Sequence, residues 1–285
     1  MVHFAWASGG SIKERARLFY YAEIRRSLAY RGWSKYAPER MVSFSIRAPA
    51  GRLFRVHMRD NMHDPESLAE FFSSRYTWIP PEQPHFEPKV VYDIGANIGI
   101  ASLYFATRFP RARFFGFEPV PANYRICAMN FQNLDGGKCF PWAIGAATGR
   151  ASFELDAADL RGGQLKNDSQ ARWRDASPPS AVLPDRTCAA GVMQRFEVPV
   201  FSVADLVTRQ GCPPPDFLKI DVEGAEVEVL QGFRDEVKYV KRMLIETHGV
   251  GLEAGCRDWC QAHGFAVRPL LQLAPGMGEI WCERQ

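Results

Sequence analysis

The stretch Val90-Val91-Tyr92-Asp93-Ile94-Gly95-Ala96-Asn97-Ile98-Gly99 decides the fold. An apolar run meets an acid, two glycines bracket a short turn, and Ile100 to Phe109 follow at helical spacing. A strand buried on both faces reads as such a run. Without a Cβ, glycine lets the backbone approach a ligand, and the N–H groups of the following helix point at it. The pattern is a strand–loop–helix nucleotide cradle.

Downstream of this cradle, strands and helices alternate, the mark of an open, mostly parallel sheet with helices on both faces. The pattern predicts strands at 89–94, 113–118, 138–143, 216–221, 241–247, 265–271 and 279–283. Helices are expected near 99–108, 121–132, 202–209, 224–231 and 253–263. Pro275-Gly276-Met277-Gly278 joins the last two strands as an antiparallel hairpin on the sheet edge. The fold class is therefore α/β, with seven strands and a late reversal.

Upstream, Ser11 to Tyr36 reads as a basic, aromatic helix, suited to packing on its own domain, to a second subunit or to a membrane surface. Val42–Ile46 and Phe54–Met58 read as a hairpin. A helix capped at Asp64, with Pro65 at its first position, runs on to Tyr76. Pro80-Pro81 through Pro88 forms a stiff linker. Residues 1–88 are thus expected to be an extension, and 89–285 the ligand-binding domain. From 157 to 194 the composition turns to Asp, Arg, Ser, Pro and Gly, which predicts a long insert, with Trp173 as its one aromatic.

Bulk properties narrow the function classes. A net charge of +3 with no long basic run argues against a nucleic-acid partner. Seven scattered cysteines argue against a disulfide framework and for a reducing compartment. Cys256 and Cys260 stand one helical turn apart with no second pair to answer them, so they read as core side chains. No stretch approaches the roughly 18 apolar residues of a membrane span, nor does the N-terminus hold a signal-peptide core. A cytoplasmic protein is expected.

The glycine loop also discriminates between ligands. Counted from Gly95, Asn97 and Ile100 stand where the dinucleotide fingerprint wants glycine. Asp93 is awkward for a pyrophosphate but suits a ligand carrying an ammonium and a sulfonium, so S-adenosylmethionine is favoured over NAD. Phe114-Phe115-Gly116-Phe117-Glu118-Pro119 ends in an acid about twenty residues beyond the loop, placed to accept from ribose hydroxyls. Asn123 follows on the next helix, and Trp142-Ala143 ends the third strand, where Trp142 either flanks an adenine or fills the core. At the carboxyl ends of the fourth and fifth strands stand Asp221, Glu223, Glu246 and His248. Glu246 and His248 are alternate residues and face one site. A histidine among carboxylates is a candidate general base or metal ligand. Glu226 reads as a helix-surface charge.

Asp93-Ile-Gly-Ala-Asn-Ile-Gly99, Phe117-Glu-Pro119 and Leu218-Lys-Ile-Asp-Val-Glu-Gly-Ala-Glu226 together resemble the FkbM family of S-adenosylmethionine-dependent methyltransferases. The resemblance covers about 55–250 and takes in Ser202-Val203-Ala204-Asp205-Leu206; the insert departs from it. It implies a class I methyltransferase fold, Rossmann-like with an antiparallel last strand, and methylation most often at oxygen. On this reading Asp93, Gly95, Ala96, Asn97, Gly99, Glu118, Pro119, Asn123, Trp142, Ala143 and Asp221 hold S-adenosylmethionine. His248, backed by Glu246, deprotonates an acceptor hydroxyl beside Asp221; alternatively Asp221, Glu246 and His248 hold a divalent metal. The acceptor is a small molecule, glycan or lipid, and the N-terminal helix is a candidate homodimer contact. N-methylation and a non-catalytic S-adenosylmethionine sensor are the alternatives.

Overall fold

The computed structural model describes residues 37–47, 52–61, 63–72, 78–80, 86–156, 164–165 and 193–285, with the isolated positions 16 and 20. The expected N-terminal helix, most of the 80–88 linker and nearly all of the 157–194 insert lie outside the described residues.

The glycine-loop strand is central in the main sheet. In chain order the strands of that sheet are β3 (Val90–Ile94), β4 (Arg113–Phe117), β5 (Lys138–Phe140), β10 (Phe217–Ile220), β11 (Arg242–His248), β12 (Phe265–Ala274) and β13 (Met277–Arg284). Their spatial order is β12-β13-β11-β10-β3-β4-β5. The order reverses beside β3, and ligands bind at such a switch point in open α/β sheets. β13 runs antiparallel to both β11 and β12, and every other pairing is parallel. This is the expected seven-stranded α/β sheet with its last strand reversed.

Helices α2 (Ile100–Arg108), α3 (Pro121–Phe131), α4 (Val203–Thr208), α5 (Glu226–Gln231) and α6 (Val250–Ala262) cover the two faces. The packing is close: a Cβ on Gly116 of β4 would stand 2.5 Å from Phe131 of α3. Upstream, β1 (Ala37–Arg47) and β2 (Leu53–Asp60) form the expected hairpin. Val42, Phe44, Ile46, Phe54, Val56 and Met58 bury one face of it in the core shared with α2, α3 and the sheet. Asn130 ties the two together, donating to the carbonyls of His57 and Ile98. Cys256 and Cys260 are buried in the core on the opposite face of the sheet. No helix among the described residues is long and apolar enough to cross a membrane.

Three local expectations need correction. The helix α1 (His63–Phe72) begins before Asp64, and Asn61 accepts the Asp64 N–H, the bond a cap makes. The Asp64 carboxylate is committed instead to a bidentate pair with buried Arg59 at 2.8 and 2.9 Å. The strand expected over 138–143 breaks at Pro141, which has no N–H for a ladder. Residues beyond it leave the main sheet as β6 (Ala143–Ile144). Finally, the insert is flanked by strands that pattern reading did not find, β7 (Gly149–Asp156) and β9 (Met193–Phe201). With β6 and β8 (Gln164–Leu165) they make a second sheet, ordered β6-β9-β7-β8.

Candidate functional site

One cavity of about 320 Å³ opens at the carboxyl edge of the central strands. Its first wall is the glycine loop. Gly95 (φ 76°), Asn97 (φ 50°) and Gly99 (φ 82°) all sit in the left-handed region. At Gly95 the requirement is absolute, since a Cβ would lie 1.7 Å from the Asp221 carbonyl oxygen. The N–H groups of Gly95 and Ala96 both donate to the Phe117 carbonyl, which fastens the loop to the end of β4.

Glu118, the next residue, is buried and accepts from Asn97 N–H and Val120 N–H, each at 2.8 Å. Burial raises its pKa to about 7, against the lowering effect of these two bonds. Pro119, Asn123, Trp142 and Ala143 line the same end of the cavity, as does Phe153 of the second sheet. Trp142 stacks on Phe140 at 4.3 Å while keeping a cavity face, so it serves core and lining together. Asp93 and Gly99 lie behind this lining. Asp93 is fully buried, accepts from Ser102 at 2.6 Å and lies 3.5 Å from Lys219 Nζ.

Lys219 carried no role in the sequence analysis, where it was only a letter of the fourth-strand motif. Parallel register sets it beside Asp93, and its ammonium reaches Asp221 at 2.9 Å and the Gly95 carbonyl at 3.1 Å. Burial would lower its pKa, but Asp221 and Asp93 outweigh that and raise it. One buried cation thus joins the glycine loop to the opposite wall.

That opposite wall is acidic. His248 ends β11, and its Nδ1 meets Glu226 Oε1 at 2.7 Å. Glu226 is fully buried and also accepts the Gly224 N–H, so the surface charge expected there is in fact the partner of the histidine. The reason is the tight turn at Glu223 and Gly224, both at positive φ, which turns the start of α5 toward β11. On its other side, His248 Nε2 lies 3.4 Å from Glu223, 3.7 Å from Glu246 and 3.9 Å from Asp221. Burial alone would lower the imidazole pKa; Glu226, then Glu223, Asp221 and Glu246 overcome it and raise it to about 9. The charge of Asp221, together with burial, lifts Glu246 to about 9. Asp221, Glu223 and His248 can offer ligand atoms within 4.8 Å of one another. The expected metal trio had Glu246 in the place of Glu223.

The far end of the cavity is closed by residues from outside the strand–helix repeat: Ser67, Glu70 and Phe71 of α1, Trp78, and Leu273 of β12. Phe71 and Trp78 stack at 4.2 Å. Glu279 of β13, directly opposite Glu246 in the ladder, is buried too. Burial, then the charges of Glu70 and Asp221, raise its pKa to about 8.

The residues present fit S-adenosylmethionine: a cradle that a Cβ would fill, a buried carboxylate beside it, and acids toward a cationic centre. Comparison with known proteins agrees. Residues 93–272 match the model of the Methyltransferase FkbM domain. Methyltransferase sdnD of Sordaria araneosa is 26% identical over 169 residues, covering 55% of this chain and 65% of that protein. The 31-O-demethyl-FK506 methyltransferase FkbM of Streptomyces tacrolimicus is 27% identical over 197 residues, 62% of this chain and 73% of its own. The hexuronic acid methyltransferase AglP of Haloferax volcanii is 25% identical over 163 residues, 57% of each chain. The chain therefore spans less than two thirds of the length of two of these three relatives. With its three motifs placed around one cavity and the family model matching more than half of its length, the chain belongs to the FkbM methyltransferase domain family.

Proposed function

We propose that the protein is an S-adenosylmethionine-dependent methyltransferase acting on a hydroxyl of a small-molecule or sugar acceptor in the cytoplasm. The observation that carries this reading is the Glu226–His248 pair at the cavity edge, 2.7 Å apart. Bound S-adenosylmethionine supplies a methyl group already activated by its sulfonium. The protein's share is orientation, exclusion of water and removal of a proton. Gly95, Ala96 and Asn97 would hold the cofactor against the loop, and Glu118, Pro119, Asn123, Trp142 and Ala143 would take its adenosine. Asp93, through Lys219, fixes the loop from behind.

Glu226 acts as the positioning residue that fixes the imidazole, leaving Nε2 to take the acceptor proton. The imidazole must first shed its own proton, and neutralising the surrounding carboxylates releases it. Residues 1–88 form an extension whose α1 closes the acceptor end, and the segment before β1 would supply the homodimer contact. Oxygen as the target follows the name of the Streptomyces relative, whose substrate is an O-demethyl compound.

A second reading, favoured by the convergence of Asp221, Glu223 and His248, places a divalent cation on these ligands with Glu226 as the carboxylate behind the histidine. The cation would lower the pKa of the acceptor hydroxyl. Transfer of a labelled methyl group into fractions of host extract, with and without chelator, separates the two: activity surviving metal removal leaves the histidine as base. In that case His248→Ala should lower turnover at least about 100-fold, the low end for a lost general base, with cofactor affinity nearly intact. A comparable loss of cofactor binding would remove His248 from that role.

A further inference from the structure

Beside the Glu226–His248 pair, two carboxylates face each other across the ladder. Glu246 and Glu279 are directly opposed on antiparallel strands, so their side chains share a face. Like charges in that relation are destabilising, and a buried carboxylate without a partner is costly. Glu279 is only 6% exposed, and among the described residues no hydrogen bond or ion pair reaches its carboxylate. Glu246, with which it shares a face, lines the cavity, so Glu279 stands on the cavity side of the ladder. Lys219 cannot neutralise it, being held by Asp221, Asp93 and the Gly95 carbonyl.

Beside these acids stands the stacked Phe71–Trp78 pair, a shelf for an apolar body. Carboxyls crowded next to an aromatic shelf fit an organic cation, whose arrival favours their ionised form. We propose, resting on the methyltransferase reading, that the acceptor is an amino alcohol or amino sugar whose ammonium sits against Glu70, Glu246 and Glu279 while its hydroxyl faces His248. Nitrogen held there as an ammonium has no lone pair to methylate, so it is the handle and oxygen the nucleophile. Glu246 Oε1 lies 3.7 Å from His248 Nε2, which sets hydroxyl and ammonium within a few bonds of each other.

The test uses the full chain saturated with S-adenosylhomocysteine and two probes of matched shape, phenylethanolamine and styrene glycol, followed by Trp fluorescence. The ammonium probe should bind at least tenfold tighter, the advantage should shrink with added salt, and Glu279→Gln should cut it to threefold or less. Retained S-adenosylhomocysteine affinity in that variant certifies its fold. Equal affinity for the two probes, or an advantage that Glu279→Gln leaves intact, overturns the proposal. So does an advantage seen only under chelation and erased by millimolar magnesium, which would give the wall to a metal ion. A protein that fails to bind S-adenosylhomocysteine overturns the methyltransferase reading itself, and this inference with it.

Discussion

The two walls of the cavity are built on opposite principles. On the glycine-loop side every acid is answered: Asp93 by Ser102 and Lys219, Glu118 by two backbone N–H groups. On the side of β11 and β13, carboxylates face one another across a ladder, and His248 alone stands among four of them. The first wall is finished before any ligand arrives, as suits a surface that holds one cofactor. On the second, crowding and burial raise Glu246 to about 9 and Glu279 to about 8, so near neutrality they hold protons that an incoming cation would displace. Burial shifts acids on both walls, Asp93 and Glu118 on the first and Glu246 and Glu279 on the second, but only on the second do the acids also raise one another.

Two glycines give the largest test of the contrast. Gly95 and Gly224 both have positive φ, but a Cβ on Gly95 meets a carbonyl oxygen at 1.7 Å and one on Gly224 meets nothing within 4 Å. Gly95→Ala should cost at least about 3 kcal/mol and abolish cofactor binding, whereas Gly224→Ala should cost about 1 kcal/mol from backbone strain alone. Urea unfolding of both variants checks this. Similar losses would mean that the first wall is no tighter than the second.

How much of this could be read from the chain follows the same division. The glycine loop, Glu118 and the seven strands with their late reversal were legible because each rests on local pattern: apolar runs, glycine spacing, turn residues and an acid at a strand end. The second sheet was not, because β7 and β9 pair across the insert, and non-local pairing leaves little local trace. Glu226 followed a Gly-Ala turn and looked like any acid in the first turn of a helix; only the positive φ of Glu223 and Gly224 brings it under His248. Lys219 was hidden for the converse reason, since a cation in a buried strand has meaning only once register sets it beside Asp93. Glu279 lay in a strand whose partner, β11, is some thirty residues upstream.

Glu118 sharpens the comparison at intermediate size. Its pKa is raised from 4.5 to about 7 by burial, so the folded protein keeps a proton that the unfolded chain releases. Stability contributed by this group is therefore present at low pH and is lost as pH rises from about 4.5 through about 7. The loss has a ceiling of roughly 3 kcal/mol, from the size of the shift. Other buried acids add slopes of the same sign, so the wild-type profile must be compared with that of Glu118→Gln. The variant should be flatter over this window. Identical profiles would mean that the two N–H bonds hold Glu118 ionised in the folded protein, making the first wall still better satisfied than its burial implies.

The smallest effect is the one that separates the walls by sign. Ser102 is fully buried, and its hydroxyl is 2.6 Å from Asp93 Oδ2. Ser102→Ala removes a donor from a buried carboxylate, a change that costs about 1–3 kcal/mol because the acceptor stays behind unsatisfied. Glu279→Gln removes a carboxylate that no donor reaches and that stands opposite another acid, so there is no bond to lose and a repulsion to relieve. Its stability should stay within about 0.5 kcal/mol of the parent or rise, the range of a substitution that breaks nothing. Both differences can be read from denaturant midpoints at one pH in the absence of ligand. A loss in Glu279→Gln as large as that in Ser102→Ala would show that the second wall is knit by bonds of its own. Its acids would then be structural, and the crowding that distinguishes the two walls would have to be sought at Glu223 and Asp221 instead.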